Sequence, residues 1–118
     1  MDLPLTPLRS LAELDHALNA SHEQPVLFFK HSHTCGISAE ALDELRAHLE
    51  QNGSAVRYAL VTVQTHREVS NAISARLGVR HETPQAILVS GGKPVWSASH
   101  FRVNVTELEK ALRRVASV

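Results

Sequence analysis

Apolar positions recur along the chain in two alternating rhythms. Leu8, Leu11, Leu14 and Leu18 stand three or four residues apart, behind Thr6-Pro7. With proline at the first helical position, that spacing predicts an N-terminal helix. The run "PVLFFKH", residues 25–31, opens with apolar residues, β-branched and aromatic ones among them, which suits a buried strand. Helical spacing returns with Ala41, Leu42, Leu45 and Leu49, on a helix beginning near Ser38 and ending near Asn52-Gly53. Residues 55–63, "AVRYALVTV", predict a second strand. Thr65 with Glu68 then fits a capping box ahead of the stripe Val69, Ile73, Leu77, which Gly78 stops. "PQAILVS" and "KPVWSAS" flank Gly91-Gly92, a composition suited to a tight hairpin, and Trp96 alternates with Val95 as a side chain packed over the sheet. A second capping box, Thr106 with Glu109, opens a last helix with Leu108, Ala111, Leu112 and Val115 on one face.

The order is a helix followed by β-α-β-α-β-β-α. Alternating β and α elements call for parallel strands, and the glycine hairpin adds an antiparallel pair at one side. The expected fold class is therefore α/β, a thioredoxin-like four-stranded mixed sheet flanked by helices, with an N-terminal helix before the core. No repeat or low-complexity linker divides the sequence, so residues 1–118 are expected to form a single domain with one core.

Charge narrows the partners. Twelve Lys and Arg balance twelve Asp and Glu, with the signs interspersed. That disfavours a nucleic acid partner, which needs a concentrated basic footprint. "MDLPLTPLRS" lacks the basic start and apolar run of a signal peptide, and no run approaches membrane-spanning length, so a cytoplasmic protein with no membrane partner is expected. A lone cysteine, unable to form an internal disulfide, agrees with a reducing compartment.

That cysteine carries the chemistry. Cys35 lies in "KHSHTCGIS", just after the first predicted strand and just before a predicted helix. A helix N-terminus offers free backbone N–H groups and the positive end of the macrodipole, which favour the thiolate, the nucleophile of thiol–disulfide exchange. Gly36 permits close backbone approach to the sulfur, and the Ser38 hydroxyl is a candidate donor to it. His31, His33 and Lys30 are candidates for raising its thiolate fraction by charge or hydrogen bonding. His31, His33 and Cys35 alternate as three soft or borderline ligands would, but no fourth ligand is evident and the segment turns into a helix, so no metal site is assigned. His16, His22, His48 and His66 stand among polar residues and are expected at the solvated surface.

Three segments together, "FKHSHTCGIS", "GVRHETPQAILVSGGKPVW" and "SASHF", resemble the YtxJ-type proteins of the bacillithiol system, the monothiol bacilliredoxins. The resemblance runs from about Val26 to the last helix. It matches Cys35 to the active-site cysteine, Ser38 to the last position of a C-x-x-S motif, and Pro84 to the proline that is cis across the thioredoxin superfamily. Gly36 departs from the proline of many relatives and brings the motif closer to the C-G-F-S of monothiol glutaredoxins. A cis Thr83-Pro84 bond would place backbone beside the cysteine, where a substrate chain or peptide-like thiol could pair with it. His81, Glu82 and His100 are candidates to line that pocket.

The resemblance implies a thiol–disulfide oxidoreductase working by a monothiol cycle. Cys35 takes bacillithiol from a mixed disulfide on a client protein, and a second low-molecular-weight thiol or another protein's cysteine releases it. No tightly bound cofactor is expected; bacillithiol acts as co-substrate. Two alternatives stand beside this reading: a monothiol-glutaredoxin-like module holding a [2Fe–2S] cluster, which would be brown after reconstitution, and a redox-inert thioredoxin-like interaction or stress protein, whose cysteine would alkylate slowly.

Overall fold

The computed structural model describes residues 5–34, 36–52 and 56–116. Its elements in chain order are β1 (Leu5–Pro7), α1 (Leu11–Ala20), β2 (Val26–His31), α2 (Gly36–Asn52), β3 (Arg57–Thr62), α3 (Arg67–Leu77), β4 (Gln85–Ser90), β5 (Lys93–Ser99), a single 3-10 turn His100–Arg102, and α4 (Val105–Ala116). The strands form one mixed sheet in the order β1-β3-β2-β4-β5. β1 and β2 run parallel to β3, while β4 runs antiparallel to both β2 and β5. This is the thioredoxin-like α/β fold with the four expected strands present and a fifth, β1, added at the edge.

β2 lies at the centre, with the side chains of Val26 to Lys30 buried on both faces, as its apolar opening residues require. Alternation sends Leu27 and Phe29 into a core with Leu45, Leu88, Leu108 and Ala111 under α2 and α4. Val26 and Phe28 enter a second core with Leu14, Ile73 and Ile87 under α1 and α3. Trp96 packs partly buried against the first core, and its neighbour Val95 is exposed.

Four sequence expectations are corrected. Thr6 and Pro7 do not start a helix: they lie in β1, paired with Ala59 and Leu60. An edge strand tolerates the missing proline N–H, and Leu8 continues the pairing by donating its N–H to Leu60 O at 2.8 Å. The helix starts after Ser10, whose Oγ accepts from Glu13 N at 3.1 Å while Glu13 Oε1 accepts from Arg9 N at 2.7 Å, so the capping pair is Ser10 with Glu13. Thr65 does not cap α3, since its hydroxyl donates to Thr62 O and bonds His66 Nδ1 at 2.8 Å, and the N-cap residue His66 makes no side-chain bond to the helix. The cap of α4 is Asn104 rather than Thr106, with Asn104 Oδ1 accepting from Glu107 N at 3.0 Å. His48 is not a surface residue: it is fully buried on α2, with Nε2 sharing a hydrogen bond of 2.8 Å with the Tyr58 hydroxyl. Burial holds the His48 imidazole below its usual pKa and pushes the Tyr58 phenol up to about 12, so both are neutral.

The hairpin between β4 and β5 needs its glycines. Gly91 and Gly92 have φ of 61° and 78°, the left-handed region that matches the twist of a two-residue hairpin turn. Their N–H groups donate to Ser21 O and Ser21 Oγ at 2.8 and 2.9 Å, tying the turn to the end of α1.

Candidate active site

β2 ends and α2 begins within a few residues of each other, and the segment between them is pinned from two sides. Ser38, on the first turn of α2, has no exposed surface; its Oγ accepts from Ser32 N at 2.8 Å and shares a hydrogen bond of 2.9 Å with His31 Nδ1. The imidazole of His31 also stacks on Phe29, with ring centroids 6.1 Å apart. From β3's end, Gln64 reaches across: its Nε2 donates to Ser32 Oγ and, at 3.0 Å, to Thr34 Oγ1, and its Oε1 accepts from His33 N at 3.4 Å. Cys35 lies outside the described residues, while its chain neighbours Thr34 and Gly36 lie within them. Burial holds the His31 pKa below the usual imidazole value, with the nearby His33 and Arg46 charges acting in the same direction. His33 is exposed.

The turn into β4 carries the second group. Thr83-Pro84 is cis. Pro84 O accepts from His100 N at 3.0 Å, and His100 itself has a left-handed φ of 56°. Glu82 accepts a hydrogen bond from Ser99 Oγ, which joins this turn to the end of β5. His100 and Phe101 then form one wall of a groove of about 390 Å3 whose other wall is Ile37, Glu40 and Glu44 of α2. Phe101 is 68% exposed, the most exposed large apolar side chain among the described residues. Glu44 also accepts from Val105 N at 3.0 Å, closing the start of α4. A separate cavity of about 290 Å3, between α1 and β3, contains none of the predicted site residues.

Lys30 and His81 form a third group on the other face of β2. Alternation turns Lys30 away from His31 and toward α3, where its fully buried side chain donates to Ser74 Oγ at 2.6 Å and contacts His81 Nδ1 at 3.0 Å. Burial brings its pKa down to about 8. His81 is also lowered, by burial first and by the Lys30 and Arg67 charges next, against an opposing pull from Glu82.

The predicted residues thus fall into two connected sets. His31, Ser38 and the 32–34 segment make one; Lys30, His81, Thr83 and Pro84 make the other, with Glu82 and His100 bracketing the proline. Three contributors escaped sequence reasoning. Gln64 and Glu44 are polar residues at element ends, indistinguishable there from solvated ones. Ser74 had a signal: with Ser70 it places two hydroxyls four residues apart beside the buried stripe of α3, which calls for a polar partner inside.

Known proteins share the family and the fold of this chain. The family model "monothiol bacilliredoxin BrxC" matches residues 6–108. A solved structure with a thioredoxin fold, provisionally described as an oxidoreductase, is 31% identical, with a TM-score of 0.81 over 91% of this chain and 92% of that one. Thioredoxins of Fasciola hepatica (21% identical, TM-score 0.74, 92% of this chain and 97% of that one) and Trypanosoma brucei brucei (14%, 0.80, 99% and 96%) share the fold. No helix among the described residues is long and apolar enough to cross a membrane.

Proposed function

The chain belongs to the monothiol bacilliredoxin family of thioredoxin-fold thiol–disulfide oxidoreductases, and from that premise we propose that Cys35 alone carries a de-bacillithiolation cycle. The observation that carries this reading is where the only sulfur nucleophile falls in the sequence, immediately before Gly36, the first residue of a 17-residue helix. The first N–H groups of such a helix have no intrahelical acceptor and sum with the macrodipole to a partial positive charge. A thiolate is favoured there over a thiol, by about 0.3–1 kcal/mol for a charge at an exposed terminus. On this reading the backbone beside cis Pro84 and the groove lined by Phe101 take the disulfide's two halves.

Ser38 explains why the cycle is monothiol. It stands where a dithiol motif places its resolving sulfur, and its hydroxyl is already bound to Ser32 N and His31. Cys35 therefore needs an external partner in each half-reaction. The Cys35 thiolate attacks the bacillithiol sulfur of a client's mixed disulfide; the new S–S bond forms on Cys35, and the client cysteine departs as a thiolate that takes a proton from solvent. A second thiolate, from bacillithiol or another protein's cysteine, attacks that same sulfur and returns Cys35 to its starting state. No net electrons pass to the protein over the cycle: the client is reduced and the two external thiols leave joined as a disulfide. The partners are S-bacillithiolated proteins and the free thiol, and a reducing cytoplasm keeps Cys35 available.

Intact-mass measurement tests this. The reduced wild type and Cys35→Ser are incubated with a bacillithiolated client and, separately, a glutathionylated one. The expected result is one bacillithiol adduct on wild type with release of reduced client, poor transfer of glutathione, and no adduct on Cys35→Ser. Absence of the bacillithiol adduct on wild type would overturn the proposal.

A further inference from the structure

A lysine buried without exposed surface needs acceptors, and Lys30 has two of unequal kind. Ser74 Oγ, at 2.6 Å, is a hydroxyl that accepts while its proton turns elsewhere. His81 Nδ1, at 3.0 Å, is more constraining. An ammonium has three donors and no lone pair. At neutral pH, below its value of about 8, Lys30 is in that form. His81 Nδ1 must then present its lone pair, and a neutral imidazole with Nδ1 unprotonated carries its proton on Nε2. Nε2 lies 3.3 Å from Thr83 Oγ1. The imidazole thus donates to the Thr83 hydroxyl, whose oxygen is engaged as acceptor and whose own proton is left to point elsewhere.

We propose that Lys30 is a positioning residue that acts through His81 to fix the Thr83 hydroxyl as a hydrogen-bond donor toward an acceptor oxygen of the bound mixed disulfide. The direction of donation runs one way, from Lys30 to His81 to Thr83 to substrate, because the lysine cannot accept. The residue at its end precedes the cis proline. The surroundings of Lys30 fit an ordering role: Gln85, its partner across the β2–β4 ladder, is buried with Oε1 lacking a hydrogen-bond partner among the described residues. It is an amide rather than a carboxylate that could neutralise the ammonium and loosen its hold on His81. The inference rests on the reading of Thr83-Pro84 as the substrate-facing turn. The acceptor is a carbonyl oxygen of the client backbone or a carboxylate oxygen of the small thiol.

Long-range proton–nitrogen NMR of the imidazoles at neutral pH tests the relay without reference to catalysis. Wild type is expected to show His81 protonated on Nε2, and Lys30→Met to show a mixture of tautomers. A wild-type His81 protonated on Nδ1 would overturn the proposal by itself, whatever the variant does; so would an unchanged tautomer in a folded Lys30→Met. Kinetics supply the second reading. Thr83→Val and Lys30→Met each raise KM by about fivefold, the worth of one hydrogen bond, more than they lower kcat, and the double variant is no worse than Thr83→Val. Additive losses would refute the coupling. A rise with bacillithiolated protein alone assigns the acceptor to the client carbonyl, and a rise also with bacillithiol disulfide assigns it to the small thiol's carboxylate. If Cys35 exchanges no disulfide at all, the proposed function fails while the tautomer result still stands or falls alone.

Discussion

Replacing Ser38 by alanine deletes one oxygen that joins two elements. That oxygen belongs to a fully buried residue, accepts from Ser32 N at 2.8 Å and bonds His31 Nδ1 at 2.9 Å. A net contribution of about 1 kcal/mol per hydrogen bond, plus the cost of leaving a partly buried N–H without its acceptor, gives an expected loss of about 2–3 kcal/mol. Unfolding entropy scales with length at about 2.1 cal/mol/K per residue, or about 0.25 kcal/mol/K for 118 residues, so the melting temperature should fall by about 8–12 K. Urea and thermal melts of the reduced protein measure both. The bond to His31 is isolated by a double-mutant cycle with His31→Phe, which keeps a ring against Phe29 and removes Nδ1; the expected coupling is about 1 kcal/mol. A Ser38→Ala loss below about 0.5 kcal/mol, or strict additivity with His31→Phe, would refute the claim that this hydroxyl holds the start of α2 to the end of β2.

Three further outcomes follow from the same geometry. His48 is buried neutral with its pKa below the usual 6.5. The unfolded chain therefore takes up this proton first as pH falls below about 6.5, and folding stability drops, by at most about 1.4 kcal/mol per pH unit for one group. His31 and His81 act with the same sign, so the urea midpoint of His48→Leu should fall less steeply with acid than that of wild type, without becoming flat. A Cβ at Gly92 would sit 3.3 Å from the His22 ring, whereas one at Gly91 meets nothing within 4 Å. Both have positive φ, so Gly91→Ala should cost about 1–2 kcal/mol and Gly92→Ala more, with His22→Ala relieving the excess in urea melts. Phe101→Ala should leave stability within about 0.5 kcal/mol, since the side chain is 68% exposed. Its KM for a bacillithiolated protein should nevertheless rise while that for bacillithiol disulfide stays put; an unchanged protein KM would remove Phe101 from the client surface.

Much of the fold could be read from periodicity, for a physical reason. Strands buried on both faces are mostly apolar, and helices packed on a sheet must carry a stripe, so "PVLFFKH" and the stripes of α2, α3 and α4 announced themselves. Gly91-Gly92 and Thr83-Pro84 were legible because few other residues satisfy their backbone geometry. Local competition was harder to resolve. Thr6-Pro7 and Ser10 are both acceptable helix starts, and only pairing with β3 assigns the first to an edge strand. His48 looked solvated because its sequence neighbours are polar, yet the i, i+3 relation to Leu45 places it on the buried face, where Tyr58 from β3 meets it. The site divides in the same way: Cys35, Ser38 and Pro84 are motif positions, while Gln64, Glu44 and Ser74 act through distance that no spacing encodes.

The alternation of β2 gives the two polar sets their division of labour. Adjacent residues on a strand face opposite ways, so Lys30 and His31 are separated by the sheet although they share a peptide bond. His31 and Ser38 serve the helix side, fixing the segment that leads to the proposed nucleophile. Lys30 serves the other side, and its connection through His81 returns to the turn before β4, next to β2 in the sheet. A strand central to the sheet can thus order the helix behind the proposed nucleophile with one residue and the proposed substrate-facing turn with the next. The two effects should be separable: variants of His31 or Ser38 act first on stability and thiol reactivity, variants of Lys30 or His81 on substrate KM. A thiol alkylation rate that responds to Lys30→Met as strongly as to Ser38→Ala would show that the sheet does not insulate the two sets from one another.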